Sequence, residues 1–331
     1  MKQIDFLAIG DIVTDAFIEL QDATVHCDVD TNACTISMQW GDKIPYKNVT
    51  VVKAVGNSPN SAVSASRLGL STSLITHVGN DDFGKECIEY LQQENIDTNY
   101  IKTEDGKKTN YHYVLSYEAE RTILVKHEEF SYDFDMNMPA PKWIYLSSLA
   151  ENSLPYHIQI AEYLENHPET KLAFQPGTFQ MKLGYKTLER LYKKSELFFC
   201  NKEEAQRILE TDERDIKKLL VEMHARGPRV AVITDGPAGA YTYDGTDGWY
   251  MSMYPDPKPP VERTGAGDSF SSTFTAAVAL GKSIPEALAW GPINSMNVVQ
   301  HIGAQAGLLS REALEKYLAE KPDHYVVKKI I

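Results

Sequence analysis

Arg263-Thr264-Gly265-Ala266-Gly267-Asp268-Ser269-Phe270 reads as a loop of small residues that opens directly onto a helix. Ser269 to Leu280 (SFSSTFTAAVAL) is small and apolar, and Gly281 stands where that helix stops. Two glycines and an alanine leave backbone N–H groups uncovered at the helix N-terminus. Such orphan donors, together with the helix dipole, favour an anion. Asp268 plants a carboxylate in the same place. Helix capping by Asp268 accounts for the same residues structurally. The functional reading is an anion hole with a base beside it, the pair that phosphoryl transfer to an alcohol requires.

Working outward, short apolar runs at Ile4–Ile9, Ser73–Val78, Trp143–Leu146, Leu172–Phe174, Leu197–Cys200 and Val230–Thr234 read as buried strands. Helical patterns lie between several of them: Ser61–Leu68, Phe83–Glu94, His157–Asn166, Leu183–Lys193, Lys202–Leu209 and Glu213–Ala225. This alternation predicts an α/β three-layer sandwich with a mainly parallel central sheet. Two stretches break it. Phe17–Val52 holds β-like pieces (FIEL, TVHCDV, TISMQW, VTVV), and Tyr111–Tyr117 followed by Arg121–Val125 reads as a hairpin. Together they predict a small β-sheet lid, from segments near 16–53 and 109–126, on a single domain spanning 1–331. Both pieces leave the ends of core strands, where open α/β sheets bind ligands, and lids exclude water from transfer chemistry.

The 331 residues, 43% of them hydrophobic, suffice for one large domain with a small appendage. The net charge of −13 argues against nucleic acid and anionic membrane as partners, and requires a local positive site for any anionic substrate. No apolar stretch reaches the roughly 18 residues of a membrane span. The run MKQIDFLAIGDIVTD carries acids inside it and reads as a strand rather than a signal peptide. Cys27, Cys34, Cys87 and Cys200 are scattered with no zinc spacing, and reduced thiols in a cytoplasmic protein are expected.

Four further clusters carry chemistry beside a bland alternative. Thr234-Asp235-Gly236-Pro237-Ala238-Gly239 permits close backbone approach to a nucleotide, or is a Gly-Pro turn before a strand at Ala240–Tyr243. Asn201 and Glu204, three apart, can hold Mg²⁺ through water, or form a capping box. Val55-Gly56-Asn57-Ser58-Pro59-Asn60 can grip sugar hydroxyls, or caps the following helix. Gly10-Asp11-Ile12-Val13-Thr14-Asp15 ends the first strand, and one of its carboxylates can accept from a vicinal diol.

Taken in order, these five clusters resemble the ribokinase-like (PfkB) carbohydrate kinase family over essentially the whole chain. The resemblance implies a parallel sheet between helices with a β-sheet lid, and transfer of the ATP γ-phosphoryl to a hydroxymethyl group of a sugar or nucleoside. It makes Asp268 the general base, and Gly265, Ala266 and Gly267 the anion hole. Asn201 and Glu204 would organise Mg²⁺ and phosphate, with Thr234, Gly236 and Gly239 at the nucleotide and Asn294 at the adenine pocket. Asp15, Gly56 and Asn60 would hold the acceptor, with Arg121 of the hairpin contacting acceptor or phosphate. The chain departs from the pattern at three places: Val55-Gly56 for Gly-Gly, Glu262-Arg263-Thr264 for Asp-Thr-Thr, and Gln175 where many members carry an acid. Glu262 takes the acidic position that serves a monovalent cation, potassium, in many members.

The acceptor hydroxyl loses its proton late in a loose transition state, so an ordinary ionised carboxylate at a helix N-terminus can serve. Rival readings are an adenosine-type nucleoside kinase, with Trp40, Tyr111, Tyr113 or Tyr117 stacking a base, and a non-catalytic metabolite-binding protein on the same scaffold. Homodimerisation through the lid sheet would cover an otherwise open β-surface.

Overall fold

The computed structural model describes residues 3–27, 34–117 and 120–331. In chain order the first half holds β1 (Phe6–Ile9), β2 (Val13–Leu20), β3 (Thr24–Cys27), β4 (Cys34–Ser37), β5 (Tyr46–Val55), α1 (Asn57–Arg67), β6 (Thr72–Gly79), α2 (Asp82–Gln93), β7 (Ile101–Glu104), β8 (Asn110–Tyr117), β9 (Glu120–Leu124), β10 (Trp143–Leu146) and α3 (Leu154–Asn166). Then follow β11 (Lys171–Phe174), α4 (Thr178–Leu183), α5 (Tyr185–Lys194), β12 (Ser195–Asn201), α6 (Lys202–Leu209), α7 (Ile216–Ala225), β13 (Val230–Thr234), β14 (Ala240–Tyr243), β15 (Gly248–Met251), α8 (Ala266–Ala279), α9 (Ile284–Val298), α10 (Arg311–Ala319) and β16 (Lys328–Lys329).

Ten strands form the central sheet in the order β16-β15-β14-β13-β12-β11-β10-β1-β6-β7. From β13 to β7 the pairings are parallel, and β14 to β16 add an antiparallel edge. A strand buried on both faces must be apolar at every position, because successive side chains point opposite ways. β1 shows the consequence: Phe6 and Ala8 enter one core with α1, α8 and α9, while Leu7 and Ile9 enter the other with α3, α5 and α7. α8 is built of Ser, Thr and Ala, small enough to lie between α1 and α9 with Ser64–Thr273 and Ser269–Ser295 contacts across the seams.

A second sheet, ordered β5-β2-β8-β9, is mixed: β2 pairs antiparallel with β5 and parallel with β8. It leaves the central sheet at the carboxyl ends of β1 and β7 and returns at Gly56. Its two faces differ. Asp15 pairs in register with His112 on the face toward the core, and Ala16 pairs with Val51 and Tyr113 on the outer face. Tyr113, Val51 and Leu124 of that outer row are exposed, and Trp40 stands 99% exposed beyond it. Tyr111 packs against both Tyr113 and Phe83.

The structure corrects two sequence expectations. Cys27 and Cys34 are not free thiols: they face each other across the β3–β4 hairpin and form a disulfide, while Cys87 and Cys200 are buried and free. A pairing only seven residues apart is invisible to a count of motifs, because it depends on hairpin register. The helix after the small-residue loop starts at Ala266 and ends at Ala279, so Asp268 lies inside its first turn. No helix among the described residues is long and apolar enough to cross a membrane.

Candidate active site

Each core strand ends at one edge of the central sheet, and the candidate residues gather there. α8 begins at Gly265, whose φ of +79° and contact with Ala304, where a Cβ would overlap, both require glycine. Gly267 is different. A Cβ built there meets nothing within 4 Å, so packing within the protein does not demand its glycine. It leaves room beside the backbone for a ligand instead. Among the described residues the N–H groups of Gly267 and Asp268 have no acceptor, as the first turn of a helix dictates.

Three side-chain amides hold the Asp268 carboxylate. Oδ1 accepts from Asn57 Nδ2 at 2.8 Å and from Gln175 Nε2 at 3.1 Å, and Oδ2 accepts from Asn60 Nδ2 at 2.9 Å. Gln175 is oriented in turn by the Tyr145 hydroxyl, which donates to its Oε1. The Asp268 side chain keeps some exposure to the cavity, yet protein surrounds it closely. Burial raises its pKa above the ordinary carboxylate value, and the Asn60, Gln175 and Asn57 donors oppose that rise. Asp268 is thus shifted upward, contrary to the expectation of an unshifted base.

Asn60 is itself engaged at both ends, because its Oδ1 accepts from Gln305. It positions Asp268 rather than facing open space. Asn57 and Gln175 were quoted in the sequence reading without this part. Asn57 lay inside the Val55–Asn60 cluster, and only tertiary contact reveals its partner.

Asp268, Gly265, Ala266, Gly267, Asn201, Glu204, Thr234, Gly236 and Arg121 line one cavity of about 550 Å³. An adjoining cavity of about 310 Å³ shares Thr234, Gly236, Ala266 and Gly267 with it. The second adds Gly239 and an apolar wall of Met253, Pro260, Phe270, Pro292 and Val299. Gly239 has φ +103°, and a Cβ there would overlap the Met251 carbonyl. Asn294 stays behind this wall: it is fully buried, bonded to Thr273 Oγ1 and to the Leu309 N–H.

Asn201 and Glu204 form the reciprocal capping box of α6, each accepting from the other's N–H at 2.8 Å. One carboxylate oxygen of Glu204 lies outside that pair, and both residues line the cavity. Burial raises the Glu204 pKa. Such an oxygen set suits a hydrated Mg²⁺. Glu262 does not suit a monovalent cation. Its carboxylate accepts from the Thr264 N–H and hydroxyl and lies 3.2 Å from the Arg121 guanidinium, so donors already occupy it.

Arg121 and Arg263 put two guanidiniums on the cavity wall, beside the carboxylates of Glu203, Glu204, Asp235 and Asp268. Arg263 has no carboxylate partner within ion-pair distance among the described residues.

Toward the second sheet lies a separate cluster. Gly56, φ +121°, approaches the Asp11 carbonyl so closely that a Cβ would stand 2.6 Å from it. The Asp11 side chain accepts from Tyr132 at 2.7 Å and lies 3.7 Å from His127 Nδ1, while Asp15 lies 3.4 Å from His112 Nδ1. Burial pushes Asp11 up to about 7 and lowers His127. Neither histidine carries a motif, so sequence reasoning missed both.

The profile of the pfkB family carbohydrate kinases matches residues 28–311. Fructoselysine 6-kinase of Escherichia coli is 25% identical over 260 residues, covering 78% of this chain and 94% of that one. Nucleoside kinase of Methanothermobacter thermautotrophicus is 26% identical over 292 residues, covering 84% and 91%. The structure of Arabidopsis thaliana ribokinase complexed with ribose and ATP superposes with a TM-score of 0.80 at 19% identity, covering 96% and 99%. The fold is therefore the ribokinase-like α/β sandwich, and the molecule is a phosphotransferase. The chain belongs to the pfkB family of carbohydrate kinases, within the sugar and nucleoside kinases of the ribokinase group.

Proposed function

We propose that the protein moves the γ-phosphoryl of ATP to a hydroxymethyl group of a sugar, with Asp268 as general base. The observation that carries this reading is the Asp268 carboxylate, clamped by three amides beside the unpaired N–H groups of Gly267 and Asp268. The adenine ring fits the apolar 310 Å³ cavity, and the phosphates fit the larger one over Gly265–Gly267.

As the acceptor oxygen bonds to the γ-phosphorus, the bond from phosphorus to the ADP oxygen breaks and the hydroxyl proton passes to Asp268. The transition state is loose, so positioning and charge stabilisation dominate. Arg263 and the α8 N-terminus neutralise the charge spread over the transferring group. Mg²⁺, held through water by Asn201 and Glu204, would supply further charge neutralisation at the phosphates. The raised pKa of Asp268 brings it nearer to operating pH, which favours proton acceptance late in transfer. The second sheet acts as the lid, within segments near 16–53 and 109–126 of which 28–33 and 118–119 lie outside the described residues, and its apolar outer row of Val51, Tyr113 and Leu124 accommodates a second copy of the chain.

Coupled ADP release across pentoses, hexoses, keto-deoxy acids and nucleosides tests the reading. ADP formed with a sugar supports it. A nucleoside as sole acceptor moves the chain to the nucleoside branch, and tight binding without ADP release leaves a metabolite-binding protein.

A further inference from the structure

Tyr145 places a hydroxyl where the elements that supply the amide clamp meet. It lies on β10, and its register partner on β11 is Ala173. Side chains alternate along a strand, so Gln175, two residues beyond Ala173, projects toward the same face as Tyr145. The phenol donates to Gln175 Oε1, and Gln175 Nε2 donates to Asp268 Oδ1 at 3.1 Å. The Ser61 and Ser271 hydroxyls hydrogen-bond the same phenol. Ser61 stands about one turn beyond Asn57 on α1, and Ser271 about one turn beyond Asp268 on α8. One fully buried side chain thus joins α1, α8 and the end of β11.

The use of such a hydroxyl follows from amide chemistry. A carboxamide is nearly symmetric in shape, and a half-turn exchanges its acceptor oxygen with its donor nitrogen. With Nε2 toward Asp268, Gln175 stabilises the ionised carboxylate. With Oε1 there, two acceptors face each other. An amide oxygen only accepts, so the phenol proton is committed to it, and the Nε2-inward orientation is the one in which both bonds form. Burial pushes the Tyr145 pKa well above the ordinary phenol value, so the hydroxyl stays a donor through the neutral range. Asn60 is held in the same sense, its Oδ1 taken by Gln305, so two of the three amides are fixed from behind.

We infer that Tyr145 is a positioning residue of the reaction: its hydroxyl locks the Gln175 amide with the donor side on Asp268 and so keeps that carboxylate ionised and aimed. Its part in the reaction rests on the kinase reading, whereas the lock on Asp268 does not. A packing role alone would act through the ring, which stacks on Phe6 with centroids 5.5 Å apart, and Tyr145→Phe keeps that ring.

The carbon-13 carboxyl resonance of Asp268, identified by its loss in Asp268→Asn, reports the lock without turnover. In Tyr145→Phe its titration midpoint should rise, and kcat should fall about ten-fold with KM for ATP unchanged. Gln175→Ala should raise the midpoint too. Adding Tyr145→Phe to Gln175→Ala should change neither quantity further, because the hydroxyl acts through the amide. Tyr163→Phe removes another buried phenol, one that donates to the Met138 carbonyl; it should leave the midpoint in place and gauges the stability cost of such a loss. Gln175→Glu leaves Tyr145 intact and puts an acceptor against Asp268, so it should raise the midpoint even if Tyr145→Phe does not fold. An unmoved midpoint in Tyr145→Phe or Gln175→Glu, or additive effects in the double variant, overturns the inference. The lock and the kinase reading fail separately. The expected midpoints in a chain that releases no ADP remove the kinase and keep the lock, whereas ADP release with unmoved midpoints keeps the kinase and removes the lock.

Discussion

Asp268 and Asp11 are both enclosed carboxylates at the same edge of the central sheet, and their surroundings differ in kind. Asp268 receives three amide hydrogen bonds and sits at a helix N-terminus, so its ionised form is held by fixed dipoles. Asp11 receives one phenol, and its second oxygen has no hydrogen bond. The first environment holds the carboxylate in one orientation with nothing bound. The second leaves one oxygen without a partner and favours the protonated carboxyl. The two carboxylates thus differ in how fully the protein alone satisfies them.

The contrast breaks most visibly in stability against pH. The Asp11 carboxyl has a folded-state pKa of about 7 against an ordinary 3.8, so the folded state binds its proton more tightly than the unfolded chain. Its contribution is fully present below about pH 4 and is lost as pH rises through 7. Asp11→Asn should stabilise the protein at pH 8, by at most on the order of 4 kcal/mol, and do little at pH 4. Denaturant unfolding at both pH values measures it, and a pH-independent effect would count against the charge argument.

Next in size is the amide clamp. Gln175→Ala removes one donor to ionised Asp268, a bond of roughly 1.5–3 kcal/mol. We expect kcat to fall about ten- to a hundred-fold, with the acidic limb of the pH–rate profile moved upward. An unmoved limb would mean that Gln175 does not hold the carboxylate.

Smaller still is Gly267→Ala. The added methyl meets no protein atom, so the melting temperature should hold while ATP affinity weakens by about ten-fold. Gly265→Ala is its control, because overlap with Ala304 should cost stability itself. The smallest effect belongs to Arg121→Ala. Its ion pair with Glu262 is partly exposed, so roughly 1 kcal/mol or less is at stake, seen as a few-fold rise in KM that salt diminishes.

The sequence pattern was most legible where burial on both faces forced continuous apolar runs. Trp143–Leu146 and Val230–Thr234 match their strands end to end, and the amphipathic pattern of Lys202–Leu209 matches its helix in the same way. β7, β15 and β16 were not read: they are edge or near-edge strands of four residues or fewer, with no run long enough to show a period. Within the site, Gly265, Gly267 and Asp268 were legible because helix-opening chemistry is local. Asn60 was assigned to the acceptor, and the structure turns it toward Asp268 and Gln305, a contact across more than 200 residues of chain that no local spacing encodes. His112 and His127 were missed for the same reason: strand register and a loop packed on α4 bring them to the carboxylates.

The most direct test of the account is Asp268→Asn, assayed for ADP release with the best acceptor beside an ATP-binding titration. Asparagine keeps the shape and removes the base. The account predicts turnover reduced by at least about a thousand-fold with ATP affinity nearly unchanged. Near-normal turnover in that variant would contradict it.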